Sequence, residues 1–298
     1  MRLFLIVSFL MSSLLTYAQN AADKLYLPDE TMEVTIEEVG TNVIKYRHLG
    51  EQATYEISKN RVNKIQFASG REEVFLSAFN DVHSIDDYQK VYISYVPEDV
   101  KGLLAKGEVF AKATGVTTLS SINNVKNRAV KKAKIEAAML GANVIYVGNM
   151  FQRGNQYGSE ETPGNSTMTS ISGMAYNSNP INIPKTKEWV ENQKFTYSHS
   201  YKLNRNAWDA KIDAKPIYDE EGNINFLTFE QVVERDGKLF VEANFRDARS
   251  KELEVIRADN EQLILMERDG KTIYNYLFLS ENEARIINAK KAFSTAKY

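Results

Sequence analysis

From about Lys24 to Phe79 apolar and polar residues alternate in short runs: MEVTIEEV, VIKYRHL, ATYEIS, VNKIQFA and EEVFL. Turn residues separate them at Gly40-Thr41-Asn42, Gly50, Lys59-Asn60 and Ser69-Gly70. Period-two runs bounded in this way predict short strands, and a succession of them predicts a small β meander or partly closed barrel over 24–80. A polar patch, Asn80 to Gln89, closes the segment.

The period then changes. KGEVFAKATG (106–115) predicts a strand, and residues 121–140 follow a helical period with Ile122, Val125, Ala129, Ala133, Ala137 and Leu140 on one face. Arg128, Lys131 and Lys134 fall on the opposite face, which reads as a solvated surface in preference to a binding patch, although anionic envelope polymers suit the same charges. Ser121 or Asn123 caps the start, Gly141 ends the helix in the left-handed region, and Val144 to Val147 forms a short buried strand. A phosphate-binding loop places its glycines after a strand and before a helix. Gly141 follows the helix, so KKAKIEAAMLGANVIYVG (131–148) is a helix handing over to a strand.

MTSISGMAY (168–176) predicts a further strand, and the Gly-, Asn- and Ser-rich stretch 149–167 before it predicts a long polar loop. These elements make up an α/β domain over 88–177. In NSNPINIPKTK, Pro180 and Pro184 predict a linker over 178–187.

Beyond it, FTYSHSYKL alternates so that Phe195, Tyr197, His199, Tyr201 and Leu203 are expected on one buried face. Further strands are predicted at 224–234, 238–245, 253–257, 262–268 and 272–279. Glu-Arg-Asp-Gly-Lys occurs at 234–238 and again at 267–271, and Asp-Gly between apolar runs is a hairpin signal. Residues 281–293 predict a short helix capped by Ser280, which completes an antiparallel β domain over 188–298. The fold class is therefore α+β and β-rich, in three parts.

The first eighteen residues run from Arg2 through an unbroken apolar stretch to Thr16 and Ala18, the layout of a signal peptide cut to expose Gln19. The apolar run is shorter than the ~20 residues of a spanning helix, which argues against a retained anchor. The chain contains no cysteine, so a lipid anchor on that residue, disulfides and thiolate chemistry are excluded. A formal charge of −2 carries no chain-wide signature of nucleic-acid binding.

Candidate chemistry is sparse. His48, His83 and His199 fall in three different segments, so zinc-type spacing is missing, and no cofactor or metal is expected. Adjacent acids at Asp86-Asp87, Glu160-Glu161 and Asp219-Glu220-Glu221 would point to opposite faces of a strand, so a carboxylate pair for acid–base work would have to converge from different strands. Asp219 to Asn223, without calcium-loop spacing, reads as a solvated hairpin tip. His199 reads as a hydrogen-bonded core residue; in a closed barrel, Tyr197, His199 and Tyr201 would instead line a cavity for a small apolar ligand.

Residues 106–176 resemble the small strand–helix–strand–strand domain shared by the Rcs outer-membrane stress-sensor lipoprotein and the heavy-metal-binding-like YbjQ family. The tokens are Gly107-Glu108-Val109, Gly141-Ala142-Asn143 and Gly173-x-Ala175-Tyr176, which are structural positions. The stress sensor has disulfide cysteines and a lipid anchor, and this chain departs from it in both. The N-terminal segment is similar to β modules of exported Bacteroidota proteins. The expectation is an exported, non-catalytic envelope protein with a binding or adaptor role toward a protein or an envelope polymer. Its candidate contacts are Arg128, Lys131, Lys134, Tyr197, His199 and Tyr201. A carrier of a small apolar ligand is the second reading and an enzyme the third.

Overall fold

A computed structural model describes residues 22–28, 30–116, 120–161 and 164–295, so the leader assigned to 1–18 lies outside the described residues. The chain divides into two units: one holds residues through Ala78 together with Val96–Lys101, the other Phe79–Tyr95 and everything from Gly102 onward.

The smaller unit is one antiparallel sheet. Its strands are β1 (Asp23–Tyr26), β2 (Thr31–Val39), β3 (Val43–His48), β4 (Tyr55–Ser58), β5 (Lys64–Gln66) and β6 (Glu72–Val74), in the order β4-β3-β2-β1-β5-β6. A 3-10 turn at Lys59–Arg61 separates β4, at one edge, from β5, which pairs with β1. Leu25, Val34, Ile44, Ile57, Val62 and Ile65 form its core. The Asp23 carboxylate accepts from the Ile36 N–H through one oxygen and from the Ala68 N–H through the other, each at 2.8 Å. Asp99, only 2% exposed, accepts from the Ser58 hydroxyl at 2.6 Å and the Asn60 amide at 3.2 Å. A buried carboxylate is costly without such partners, and these hold Val96–Lys101 to this unit.

The larger unit contains two sheets. Strands β7 (Tyr92–Ser94), β8 (Leu104–Thr114), β9 (Val144–Arg153) and β10 (Met168–Asn177) form the first, in the order β7-β9-β10-β8, with β7 parallel to β9. The second is antiparallel throughout: β11 (Phe195–Asn204), β12 (Lys211–Ala214), β13 (Val232–Arg235), β14 (Lys238–Glu242), β15 (Glu252–Ala258), β16 (Gln262–Asp269) and β17 (Thr272–Ser280), ordered β12-β11-β17-β16-β15-β14-β13. Helix α1 (Ile122–Met139) shares one core with both. Val109, Ala111, Ile145 and Ile171 contribute from the four-stranded sheet, and Ile256, Ile264, Met266, Ile273 and Leu277 from the seven-stranded one. Segments 88–177 and 188–298, read separately from the sequence, are thus joined by a common core.

Two-sided burial explains the surface of α1. The alanine stripe is buried as expected, and Ile135, Ala138 and Met139 are buried beside it, whereas Ile122 remains 39% exposed. Gly141 ends the helix at φ +71°, with Ala142 N–H donating to the Ala137 carbonyl at 2.9 Å. Glycine is required there twice over, because a Cβ would stand 2.7 Å from the Ile256 Cβ. The Asn275 amide of β17 donates to the Met139 carbonyl at 2.8 Å, satisfying an acceptor that the helix end leaves free.

On the far side of the seven-stranded sheet a second core gathers Phe195, Phe229, Leu263, Leu265, Tyr276 and Phe278 around Val190 of α2 (Ile183–Asn192). The stretch 178–187, expected as a linker, therefore starts a helix. Pro184 sits in the first turn, where no N–H is needed, and the Asn182 side chain accepts from Lys185 N–H at 3.1 Å. The C-terminal helix α3 (Glu281–Thr295) starts at the expected cap, Ser280, whose hydroxyl accepts from Glu283 N–H at 3.4 Å.

Other local expectations shift. Strand β9 runs to Arg153, into the stretch read as loop; of the strand expected over 224–234 only the end enters β13, while Ile224 and Leu227 make isolated bridges to Tyr218 and Phe195; and β12, four residues long and exposed along its whole length, was not expected.

Candidate functional site

The basic face of α1 is the natural place to begin. Arg128, Lys132 and Glu136 lie four residues apart, about 6 Å along a helix, while alternate residues of a strand lie about 6.8 Å apart. That near match lets the three side chains run along the free edge of β8. Arg128 donates to the Thr114 carbonyl at 2.9 Å, Lys132 reaches the Lys112 carbonyl at 3.5 Å, and the Glu136 carboxylate accepts from Phe110 N–H at 3.1 Å. Burial raises the pKa of Glu136, opposed by that N–H and by Arg268. An open strand edge is a hazard for unwanted pairing, and the helix covers this one.

Arg128, Lys131 and Lys134 are all partly buried, so the face expected to be solvated is largely engaged. Lys134 donates to the Gln89 carbonyl at 3.0 Å, and burial lowers its pKa. Lys131 pairs with Asp209 at 2.9 Å, a bond that raises its pKa, and lies 5.6 Å from the Tyr88 ring. Arg128 and Lys132 lie over the Trp208 ring at 5.1 and 5.4 Å from its centroid. Trp208 and Asp209 sit in the β11–β12 connection, and neither was singled out from the sequence.

These contacts frame an open pocket of about 390 Å³ lined by Val116, Arg128, Lys131, Trp208 and Asp209. Such a volume is within the roughly 300–1,000 Å³ of small-ligand sites. Trp208 is 48% exposed and Val116 83%, so the apolar part of the lining faces solvent. The structure thus brings Arg128 and Lys131 together in the pocket; Lys134 does not line it.

The aromatic candidates on β11 are divided. Tyr197 pairs with Phe278 and His199 with Leu277, adjacent residues of β17, so Ser198 is the extra residue of a β-bulge. Residues before and after the bulge face opposite ways. Phe195 and Tyr197 join the core with Phe278, whereas Tyr201 and Leu203 join the core around α1. Unbroken alternation from Phe195 to Leu203, expected from the sequence, is therefore corrected, and Tyr197 and Tyr201 line no common wall. The apolar-carrier reading rested on such a wall.

Each tyrosine has its own carboxylate. Tyr197 donates to Asp247 at 3.2 Å and stacks on Phe278 with centroids 5.0 Å apart; burial pushes its pKa to about 12. Lys215 lies 2.6 Å from Asp247 and holds that carboxyl below its usual range. Tyr201 donates to Asp86 at 3.1 Å, and burial chiefly, then Asp86, pushes it to about 12. His199 Nδ1 lies 3.0 Å from the Ser198 hydroxyl, and burial lowers its pKa while Asp86 opposes the shift.

Sequence reasoning also missed a buried ion pair. Lys106 is the extra residue of a bulge in β8, between Ala105, which faces Tyr176, and Gly107, which faces Ala175. The bulge turns its side chain inward to the Glu254 carboxylate of β15, which Lys238 also reaches at 3.2 Å. Burial lowers the Lys106 pKa, and Glu254 works against that shift.

Among the described residues no group of three or more His, Asp or Glu side chains could hold a metal ion, and no helix is long and apolar enough to cross a membrane. No family model matches the chain, and neither a curated protein nor a solved structure matches it.

Proposed function

We propose that this chain is an exported, non-catalytic protein of the cell envelope that binds a partner through the Trp208 pocket. The observation that carries the proposal is a half-exposed indole, backed by Arg128 and Lys132, in the wall of an open pocket. Aromatic side chains with one apolar and one wet end are typical of binding surfaces. The groups with displaced titration support a structural role for the remainder: Lys106, Glu136, Tyr197 and Tyr201 each bond to a group on another element.

Cell fractionation tests the role. The wild-type chain, expressed with its leader, should partly sediment with the envelope and begin at Gln19 or within a few residues of it. Trp208→Ala should move it to the soluble exported fraction without lowering its melting temperature. Equal sedimentation of the two proteins would sink the proposal.

A further inference from the structure

The pocket's chemistry narrows the partner. Among the described residues Lys131 is matched by Asp209 at 2.9 Å, and Lys132 is directed to the Lys112 and Arg205 carbonyls at 3.5 and 3.4 Å. Arg128 spends one Nη2 donor on the Thr114 carbonyl and meets no carboxylate there. Its planar fork carries five N–H donors, which suit a carboxylate, sulfate or phosphate oxygen pair. The lining thus holds one cation in excess, one carboxylate able to accept further hydrogen bonds, and a flat apolar surface from Trp208 beside Val116.

A ligand complementary to all three has a flat apolar face, hydroxyl donors and a single negative charge. We infer that the pocket takes one acidic saccharide unit of an anionic glycan, with the C–H face of the sugar ring on Trp208, its acidic group at Arg128 and a hydroxyl donating to Asp209. The inference rests on the binding role proposed above. An acidic peptide offers the charge without the hydroxyl-bearing flat ring. A nucleotide offers the flat ring but brings phosphate charge of about −1.5 to −2 at neutral pH, if a phosphomonoester, to a site with one excess cation.

Titration of the purified chain with tetragalacturonate, the neutral galactose tetramer, adenosine monophosphate and tetraglutamate tests this, read by calorimetry and tryptophan fluorescence. Trp189, the only other tryptophan, lies against the second core and provides an internal reference. Tetragalacturonate should bind saturably and about tenfold or more tightly than the other three probes, tenfold being the scale of one good charge-assisted contact. Arg128→Gln should reduce it to the neutral tetramer's affinity. Asp209→Asn should instead raise its affinity, because Lys131 then becomes a second excess cation, so the two variants move in opposite directions whatever each does to stability. Equal binding of the acidic and neutral tetramers, no binding of either, or comparable binding of the nucleotide or the peptide would overturn the ligand class. If Trp208→Ala still abolishes envelope sedimentation in those cases, the binding role stands; if it does not, the role fails as well.

Discussion

Lys106 and Glu254, 148 residues apart, form an ion pair buried between the two sheets of the larger unit, and Lys238 reaches the same carboxylate from β14. The two partners are therefore not equivalent. Removing Glu254 leaves Lys106 buried without a carboxylate, whereas removing Lys106 leaves Glu254 with Lys238. Glu254→Leu should cost about 3–5 kcal/mol, the usual result of orphaning a buried charge. Lys106→Met should cost clearly less, and the double variant should recover most of the loss. Urea unfolding followed by tryptophan emission reads this unit alone, since Trp189 and Trp208 both belong to it. Equal losses in the two single variants would show that Lys238 does not share the carboxylate.

Gly141→Ala should be among the more damaging small substitutions. The left-handed backbone costs a residue with a Cβ about 1–2 kcal/mol, and overpacking typically adds about 1–3 kcal/mol. The added atom would stand 2.7 Å from the Ile256 Cβ, so the expected total is about 2–5 kcal/mol. Comparing that loss in the wild type with the loss in an Ile256→Gly background, which removes the clashing Cβ, separates the two causes. The steric part should disappear in that background while the backbone part persists. A loss unchanged by Ile256→Gly would mean that conformation alone governs the position.

What the sequence made visible was local: the α1 stripe, the Gly141 stop, the Ser280 cap and most strands of the C-terminal sheet. Each depends on residues a few places apart. The bulges at Lys106, Ser198 and Ile256 escaped, because one extra residue reverses the alternation without any distinctive residue type. The repeated Glu-Arg-Asp-Gly-Lys shows the same limit. At its first occurrence Asp236 and Gly237 both take positive φ between Arg235 and Lys238, whereas at the second the loop shifts by one residue to Gly270-Lys271, between Asp269 and Thr272. Strand register, not the pentapeptide, selects the turn. The shared core did leave a signal: Ile135, Ala138 and Met139 widen the apolar arc of α1 beyond what one sheet can cover. In the pocket, Arg128 and Lys131 were legible as a basic face. Trp208 and Asp209 were not, since a connection has no period to mark them.

His199 should impose a pH dependence of defined sign. Burial lowers its pKa in the folded chain below the ordinary 6.5, so above that value the ring is neutral in both states and its contribution to stability is complete. As pH falls through the folded pKa, the unfolded chain has already taken up the proton, and that stability is lost. His199→Phe keeps the ring and abolishes this acid-side loss. Because the imidazole's side-chain partner is the neighbouring Ser198, the cost at neutral pH should stay within about 1.5 kcal/mol. Urea midpoints between pH 5 and 7.5 provide the check, and parallel profiles for the two proteins would contradict the assignment.

Glu136 guards the β8 edge, and the amide of Phe110 reports on it. In the wild type that N–H is bonded to the carboxylate at 3.1 Å and should exchange slowly for an edge position. Glu136→Ala removes the acceptor, and loss of a hydrogen bond to a charged group, about 1.5–3 kcal/mol, corresponds to exchange roughly ten- to a hundredfold faster. Glu136→Gln retains an acceptor oxygen at the same reach and should keep most of the protection, which separates the loss of the bond from the loss of the charge. The bare edge of the alanine variant should also self-associate with rising concentration, as unpaired strands do. Light scattering and hydrogen exchange on the same samples test both effects; unchanged exchange at Phe110 in the alanine variant would mean that the helix backbone, not the carboxylate, shields the strand.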